Sequence, residues 1–301
     1  MRRHLPKNLP HLARGLTLIE LVVAMVLIAI IVGATIYFVY PLRQAVDLTT
    51  RAELTDIADN TLQRIGREVR LSLPNSVRVS NSGSSRFVEF LALRTAGRYR
   101  GDAGSVSTGA DCPPDGVSAP TADQLSFDVA DTCFKSIGTV ANAVDITTAD
   151  FLVLNNYGPG FAGQNAYEVG APNRVLIAGR NVEANRVRIN FASTTFQRTL
   201  HDSPGRRFYV ISGPVTYECN PATGKIWRNS GYAISSASPT AQGIGNLIAD
   251  NVTACAMDYN ASGVAPQVGL LTLRLTLSKS LSGGGAESVT LYHAVHVTNV
   301  P

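Results

Sequence analysis

The stretch RGLTLIELVVAMVLIAIIVG, Arg14 to Gly33, decides the fold. It opens on a base, carries a single acid at Glu20, and meets no further charge before Arg43. Leu21 to Tyr40 is twenty residues in which only Thr35 is strongly polar. As a helix rising about 1.5 Å per residue, that run spans about 30 Å, the thickness of a bilayer's hydrocarbon core. A secretory signal has a shorter apolar region with a small-x-small cleavage site behind it. Here the one processing-like sequence, Arg14-Gly15, comes before the apolar run, so the helix is expected to survive maturation. A carboxylate carried into hydrocarbon is costly and needs compensation. Glu20 is therefore the first candidate functional residue.

Charge agrees with a membrane anchor. The chain has 301 residues with 45% hydrophobic and 16% charged, a composition that suits a packed body rather than a disordered one. The formal net charge is +4, but Arg2, Arg3, Lys7 and Arg14 stand in the first fifteen residues with no acid among them. Removing them leaves 26 − 4 = 22 bases against 22 acids. The balance gives no argument for nucleic acid. It places the N-terminus on the cytoplasmic side, since Lys and Arg beside a membrane segment stay inside.

Beyond the apolar run, Pro41 is expected to kink the helix or mark its emergence from the membrane. Helical spacing then continues through Leu54, Ile57, Ala58, Leu62, Ile65, Val69 and Leu73, and Pro74 stops it. The pattern predicts one helix roughly 85 Å long, lipid-embedded at its start and laid across a sheet at its end. From Val77 the period changes to two. Strands are expected over 86–91, 124–129, 150–154, 174–177 and 185–191, with 95–123 the least structured stretch. Tyr209 to Cys219 and Lys225 to Arg228 read as a hairpin about Pro221–Gly224, and LIADNVTACAMDYN, GLLTLRLTLS and ESVTLYHAVHVTNVP follow with alternating apolar positions.

The basic leader, Gly15, the run Leu16-Thr17-Leu18-Ile19-Glu20 and the apolar helix resemble the precursors of type IV pilins and type II secretion pseudopilins. The resemblance implies an α+β, pilin-like fold. It implies that a prepilin peptidase in the inner membrane cuts after Gly15 and methylates the amine of Leu16, which stands where Phe is commonest. It also implies that Glu20, the fifth residue of the mature chain, pairs with a neighbouring subunit's N-terminal ammonium in the fibre. The domain plan is then a leader over 1–15, a transmembrane and assembly helix over 16–41, an amphipathic half over 42–74 and a β-rich body over 75–301. The C-terminal third, from FYVISGPVTYECNPATGKIWR onward, resembles the body of J-type minor pseudopilins. Its closing HAVHVTNVP, with the Cys of NVTAC, is similar to the MshO-type minor pilin of the mannose-sensitive haemagglutinin pilus. The expected role is a minor pilin-like subunit of such a pilus, at initiation or the tip. The alternatives are a J-type pseudopilin and, in a different class, a membrane-anchored periplasmic enzyme or binding protein. Expected partners are prepilin peptidase, other minor and major pilins through the N-terminal helix, and the inner membrane, which the chain crosses once before joining a pilus or pseudopilus. Nucleic acid is not predicted.

The rest of the chain offers little chemistry. Cys112, Cys133, Cys219 and Cys255 include no Cys-x-x-Cys pair, and all lie beyond the apolar segment. In an oxidising compartment they read as two disulfides; three connectivities are open, and the sequential one, Cys112–Cys133 and Cys219–Cys255, is expected. Gly158-Pro159-Gly160-Phe161-Ala162-Gly163 fits G-x-G-x-x-G, but no helical period follows, so it reads as a turn rather than a nucleotide site. His293 and His296 are three apart on a strand and point to opposite faces. No Gly-x-Ser-x-Gly elbow and no Asp-x-Asp-x-Asp calcium loop is present. Tyr217, Trp227, Tyr232 and Tyr259 read as core rather than an adhesive patch. No cofactor, no metal and no enzymatic activity are expected.

Overall fold

The computed structural model describes residues 17–101, 112, 123–261, 268–281 and 284–301, with the side chains of residues 39–48 outside that description. Helix α1, Leu18–Arg70, has 53 residues and continues across Pro41. Its last turns bury Leu54, Ala58, Leu62, Ile65 and Val69, one stripe at three-to-four spacing. The helix ends before the expected stop at Pro74. Leu73 donates its N–H to the Leu91 carbonyl at 2.9 Å and Ser72 bridges to Ala92, while Ser72 Oγ donates back to the Val69 carbonyl at 2.7 Å. Pairing with a strand has taken Leu71–Leu73 out of the helix, and Leu73 is fully buried there.

Twelve strands follow in chain order: β1 (Arg78–Ser82), β2 (Ser85–Arg98), β3 (Ala130–Lys135), β4 (Phe151–Leu154), β5 (Arg174–Val182), β6 (Val187–Thr195), β7 (Arg207–Asn220), β8 (Lys225–Ser230), β9 (Ile244–Ala249), β10 (Val252–Ala261), β11 (Val268–Ser280) and β12 (Ala286–Thr298), with a short helix α2 (Arg198–His201) before β7. The first nine form one sheet in the order β1-β2-β7-β4-β5-β6-β3, with β8 also on β7 and β9 on β8. The last three form a second sheet, β10-β11-β12. The named strand pairs are all antiparallel, so the architecture is α+β: a long helix followed by antiparallel sheets.

Three cores result among the described residues, the third a small one around Leu73 and Leu91. In the first, the buried stripe of α1 meets Leu271, Leu273, Leu275 and Leu277 of β11, Val289, Val295 and Val297 of β12, and Val88, Phe90 and Tyr217 of the larger sheet. The alternating leucines of β11 all face inward because a strand sends every second side chain to one face. Gly66 sets how closely the helix approaches: a Cβ there would lie 2.9 Å from His293 Nε2 and 3.0 Å from Val295 Cγ2. The second core holds Tyr99, Phe127, Phe134, Phe191, Phe196 and Phe208 and contains no residue of α1. The long strands β2 and β7 carry the chain from the first core to the second, with register shifts between Ala92 and Thr95 that bend the pair.

Two expectations need correction. Residues 124–129 are not a strand. Leu125 and Phe127 are buried, which produces the alternation, but Asp128 is left-handed (φ 64°) and Leu125 makes only an isolated bridge to Gly101. The carboxylate of Asp131 holds the segment as a loop by accepting the N–H groups of Ser126, Thr132 and Cys133. LIADNVTACAMDYN is likewise two strands in different sheets. The chain crosses between them at Asn251, whose φ of 59° suits a short polar side chain. Of the stretch 95–123, β2 and Tyr99 claim the beginning, and 102–111 and 113–122 lie outside the described residues.

Candidate functional site

The N-terminal end of α1 is the candidate site. Gly15 and Leu16 lie outside the described residues. Thr17 is the N-cap, with extended backbone (φ −76°, ψ 153°). Its hydroxyl oxygen accepts the Glu20 N–H at 3.3 Å, and its own N–H and hydroxyl donate to Glu20 Oε2 at 3.0 and 3.1 Å. This reciprocal capping box satisfies donors that a helix start otherwise leaves open. The Thr17-x-x-Glu20 spacing is visible in the sequence, but reading Glu20 as a membrane and assembly carboxylate does not include the cap.

After the cap, Leu18–Phe38 is a 21-residue run long and apolar enough to cross a membrane. None of it is buried by the protein itself. Leu18 is 83% exposed, and Ile28, Ile31 and Ile36 are each at least 60% exposed. Apolar surface of this extent belongs in lipid or against other helices. The polar Thr35 is tolerated because its hydroxyl donates to the Ile31 carbonyl at 2.7 Å, leaving it no unmet donor in hydrocarbon. The basic leader and this span are consistent with membrane anchoring.

The body is stapled by two disulfides. Cys112 is bonded to Cys133, and Cys219 of β7 to Cys255 of β10, the second bond tying the two sheets together. The glycine-rich segment closes on itself: Tyr157 N–H and Gly158 N–H both donate to the Gln164 carbonyl, and no helix begins there. His293 packs against Gly66, whereas His296 is exposed on the opposite face. Among the described residues no group of three or more His, Cys, Asp or Glu is placed to hold a metal. Tyr217 is fully buried; Tyr232 and Tyr259 donate to Glu89 and Asn299 respectively, and Trp227 lies half-buried beneath Lys225. The four aromatics make no shared exposed patch.

Two buried polar features had no sequence signal. His201 is completely buried, with Nδ1 accepting the Gln197 N–H at 2.9 Å and Nε2 facing the Gly163 carbonyl at 3.0 Å. Burial pushes its pKa below the ordinary histidine value, against a smaller upward pull from that carbonyl. Glu89, 3% exposed, binds Arg78 across the β1–β2 pair at 2.6 Å.

Residues 11–36 match the family model described as the prokaryotic N-terminal methylation motif. No curated protein and no solved structure matches the chain. The matched motif supports a type IV pilin-like or pseudopilin subunit, with the processing by prepilin peptidase and assembly with pilins that such a motif implies.

Proposed function

We propose that this chain is a minor pilin-like subunit of a type IV pilus of the mannose-sensitive haemagglutinin kind, acting at initiation or the tip. The observation that carries the reading is the sequence of features along one helix. The methylation motif takes in the Thr17–Glu20 cap and most of a 21-residue apolar span that its own protein leaves bare, and a stripe docked on the body follows along the same helix. A helix built this way is made to be covered by lipid first and by neighbouring helices afterwards. In this reading Gly15 precedes the cut, Leu16 becomes the methylated terminus, and Glu20 sets the register of packing against the next subunit. The two-sheet body lies on the periplasmic side and is non-catalytic. Its bulk, three cores on twelve strands among the described residues, supports a role at an end of the fibre rather than a repeat along its shaft.

A second reading is a J-type pseudopilin of a type II secretion system, supported by the strand order of the C-terminal third; both readings share the same N-terminal processing. The test is the intact mass and N-terminal sequence of the protein from a host with its own prepilin peptidase. An N-methylated Leu16 start is expected. An intact Met1, or a cut after the apolar run, would overturn the proposal in favour of an anchored periplasmic protein.

A further inference from the structure

Four arginines lie at or one to two residues beyond the end of the β2–β7 pair, beside Tyr99 of the second core. Arg98 and Arg207 are directly opposite each other in the antiparallel register. One step on, Tyr99 N–H donates to the Arg206 carbonyl at 2.9 Å. Tyr99 turns inward and is fully buried, so Arg98 and Arg100, on either side of it, face outward and are exposed. Arg206 is exposed on a left-handed turn residue (φ 48°). Arg207 folds over Gly205, where a Cβ would come within 3.3 Å of its Nε.

Like charges directly opposite on paired strands repel, at a Cβ separation of about 5 Å. Three other arginines of the larger sheet are matched with acids: Arg78 of β1 with Glu89 at 2.6 Å, Arg94 of β2 with Asp150 at 2.7 Å and Arg228 of β8 with Glu68 at 2.9 Å. Among the described residues none of Arg98, Arg100, Arg206 and Arg207 has an acidic partner. The acid on the neighbouring turn, Asp202, accepts the Tyr99 hydroxyl at 2.8 Å and lies 3.8 Å from Arg198. The chain end is drawn in close by, with Tyr209 donating to the Val300 carbonyl and Ser203 to Pro301 O, but it forms no ion pair with the cluster. The backbone thus holds concentrated positive charge in a fixed place.

We propose that this cluster binds a ligand carrying two linked phosphate groups. A single carboxylate brings one negative charge to the opposed guanidinium pair and leaves one positive charge uncompensated. A diphosphate brings several negative oxygens over a few ångströms and matches the planar donor fork of each arginine. The same chemistry is offered by a soluble diphosphate and by a lipid bearing clustered phosphates in its headgroup.

The test uses the full chain held by its own helix in nanodiscs of phosphatidylcholine, so that insertion of α1 plays no part in the readout. Pyrophosphate is titrated by calorimetry against sodium chloride at matched ionic strength. In a second arm the nanodisc-held chain is mixed with vesicles of phosphatidylcholine doped with a diphosphorylated glycolipid, and co-flotation is measured. Saturable binding of pyrophosphate is expected, weakened about a hundredfold in Arg98→Gln/Arg207→Gln, since each charge-assisted hydrogen bond to a lost arginine accounts for at least about tenfold. Arg86→Gln, whose guanidinium bonds only to the Gly83 and Ser85 carbonyls, is expected to bind like the wild type. Without ligand the double variant is expected to unfold no more easily than the wild type, because it relieves repulsion, so lost binding is distinguishable from lost fold. Response to pyrophosphate alone identifies a soluble ligand; response to the doped vesicles identifies a lipid headgroup. Binding no stronger than the chloride control in both arms, or a double variant that binds as tightly as the wild type, overturns the proposal.

Discussion

Replacing Glu89 tests how the face of the larger sheet turned away from the first core tolerates charge. Its Oε1 accepts Arg78 Nη2 at 2.6 Å and Nε at 2.8 Å; its Oε2 accepts the hydroxyls of Thr216 at 3.1 Å and Tyr232 at 3.0 Å. Arg78, 17% exposed, also donates to the Ser235 and Ser236 carbonyls, and its guanidinium lies 3.7 Å from the centre of the Tyr167 ring. Glu89→Ala removes four accepted hydrogen bonds together and leaves a largely buried cation without its counter-charge. Breaking one side of such a pair costs about 3–5 kcal/mol, whereas replacing both members by apolar groups of similar volume is close to neutral. Glu89→Ala is therefore expected to lose about 3–5 kcal/mol, and Arg78→Met/Glu89→Met far less than the sum of the single changes. Urea unfolding followed by tryptophan fluorescence reads this directly, because the chain's one tryptophan, Trp227, lies on β8 beside the cluster. Proteolysis within 231–243, the segment whose carbonyls Arg78 holds, is expected to quicken in the single variant. A loss below about 1 kcal/mol, the range of an exposed pair, would refute the reasoning, as would single costs that simply add.

Two further outcomes follow from named groups. Reducing Cys219–Cys255, or replacing both residues by Ser, frees a loop of sequence separation 36 between the two sheets. The chain-entropy model puts that at about 4 kcal/mol. The urea midpoint read at Trp227 measures it, and an unchanged midpoint rules out the staple. At His201 the folded state holds a neutral ring whose pKa burial has lowered. The unfolded chain takes up the proton first, so this contribution is complete above the ordinary histidine value of about 6.5 and is lost as pH falls through the lower folded-state value. Melting temperature is expected to drop between neutral and mildly acid pH more steeply in the wild type than in His201→Gln; equal slopes would show that His201 does not carry the effect.

The helix and most strands were legible because their periods are enforced by one-sided burial. The β11 leucines alternate without exception from Leu271 to Leu277, and Leu54 to Val69 repeats at helical spacing. Legibility failed where a buried residue is not on a regular element. Leu125 and Phe127 look like a strand because both are in the core, yet Asp128 and Asp131 bend the backbone between and after them. Leu73 extends the helical pattern because it too is buried, but against Leu91 of a strand. Nothing local reports such tertiary pairing. The interior partners of Glu89 and His201 lie far away in sequence and were invisible for the same reason. At the N-terminus the apolar span is plain in the sequence, and the Thr17 cap is local too, written in the four residues Thr17 to Glu20.

That cap changes what Glu20 has to do. The sequence presents a lone carboxylate at the edge of hydrocarbon that only another subunit relieves. In the structure, both donors from Thr17 reach the same oxygen, Oε2, and no contact occupies Oε1 among the described residues. One oxygen can thus hold the start of its own helix while the other accepts a neighbour's ammonium, so capping and assembly need not compete. The two roles are separable by mutation. Glu20→Gln keeps an acceptor for Thr17 and loses the charge; Thr17→Val loses the hydroxyl and keeps the charge. If Glu20 guides assembly electrostatically, Glu20→Gln is expected to leave amide protection at residues 18–21 near the wild-type level and to deplete the chain from sheared fibres. Thr17→Val is expected to do the reverse, fraying the first turn while fibres still recover the chain. Equal loss from fibres in both variants, in step with lost protection, would mean that a well-formed helix start is the requirement and that the charge on Glu20 has no separate role.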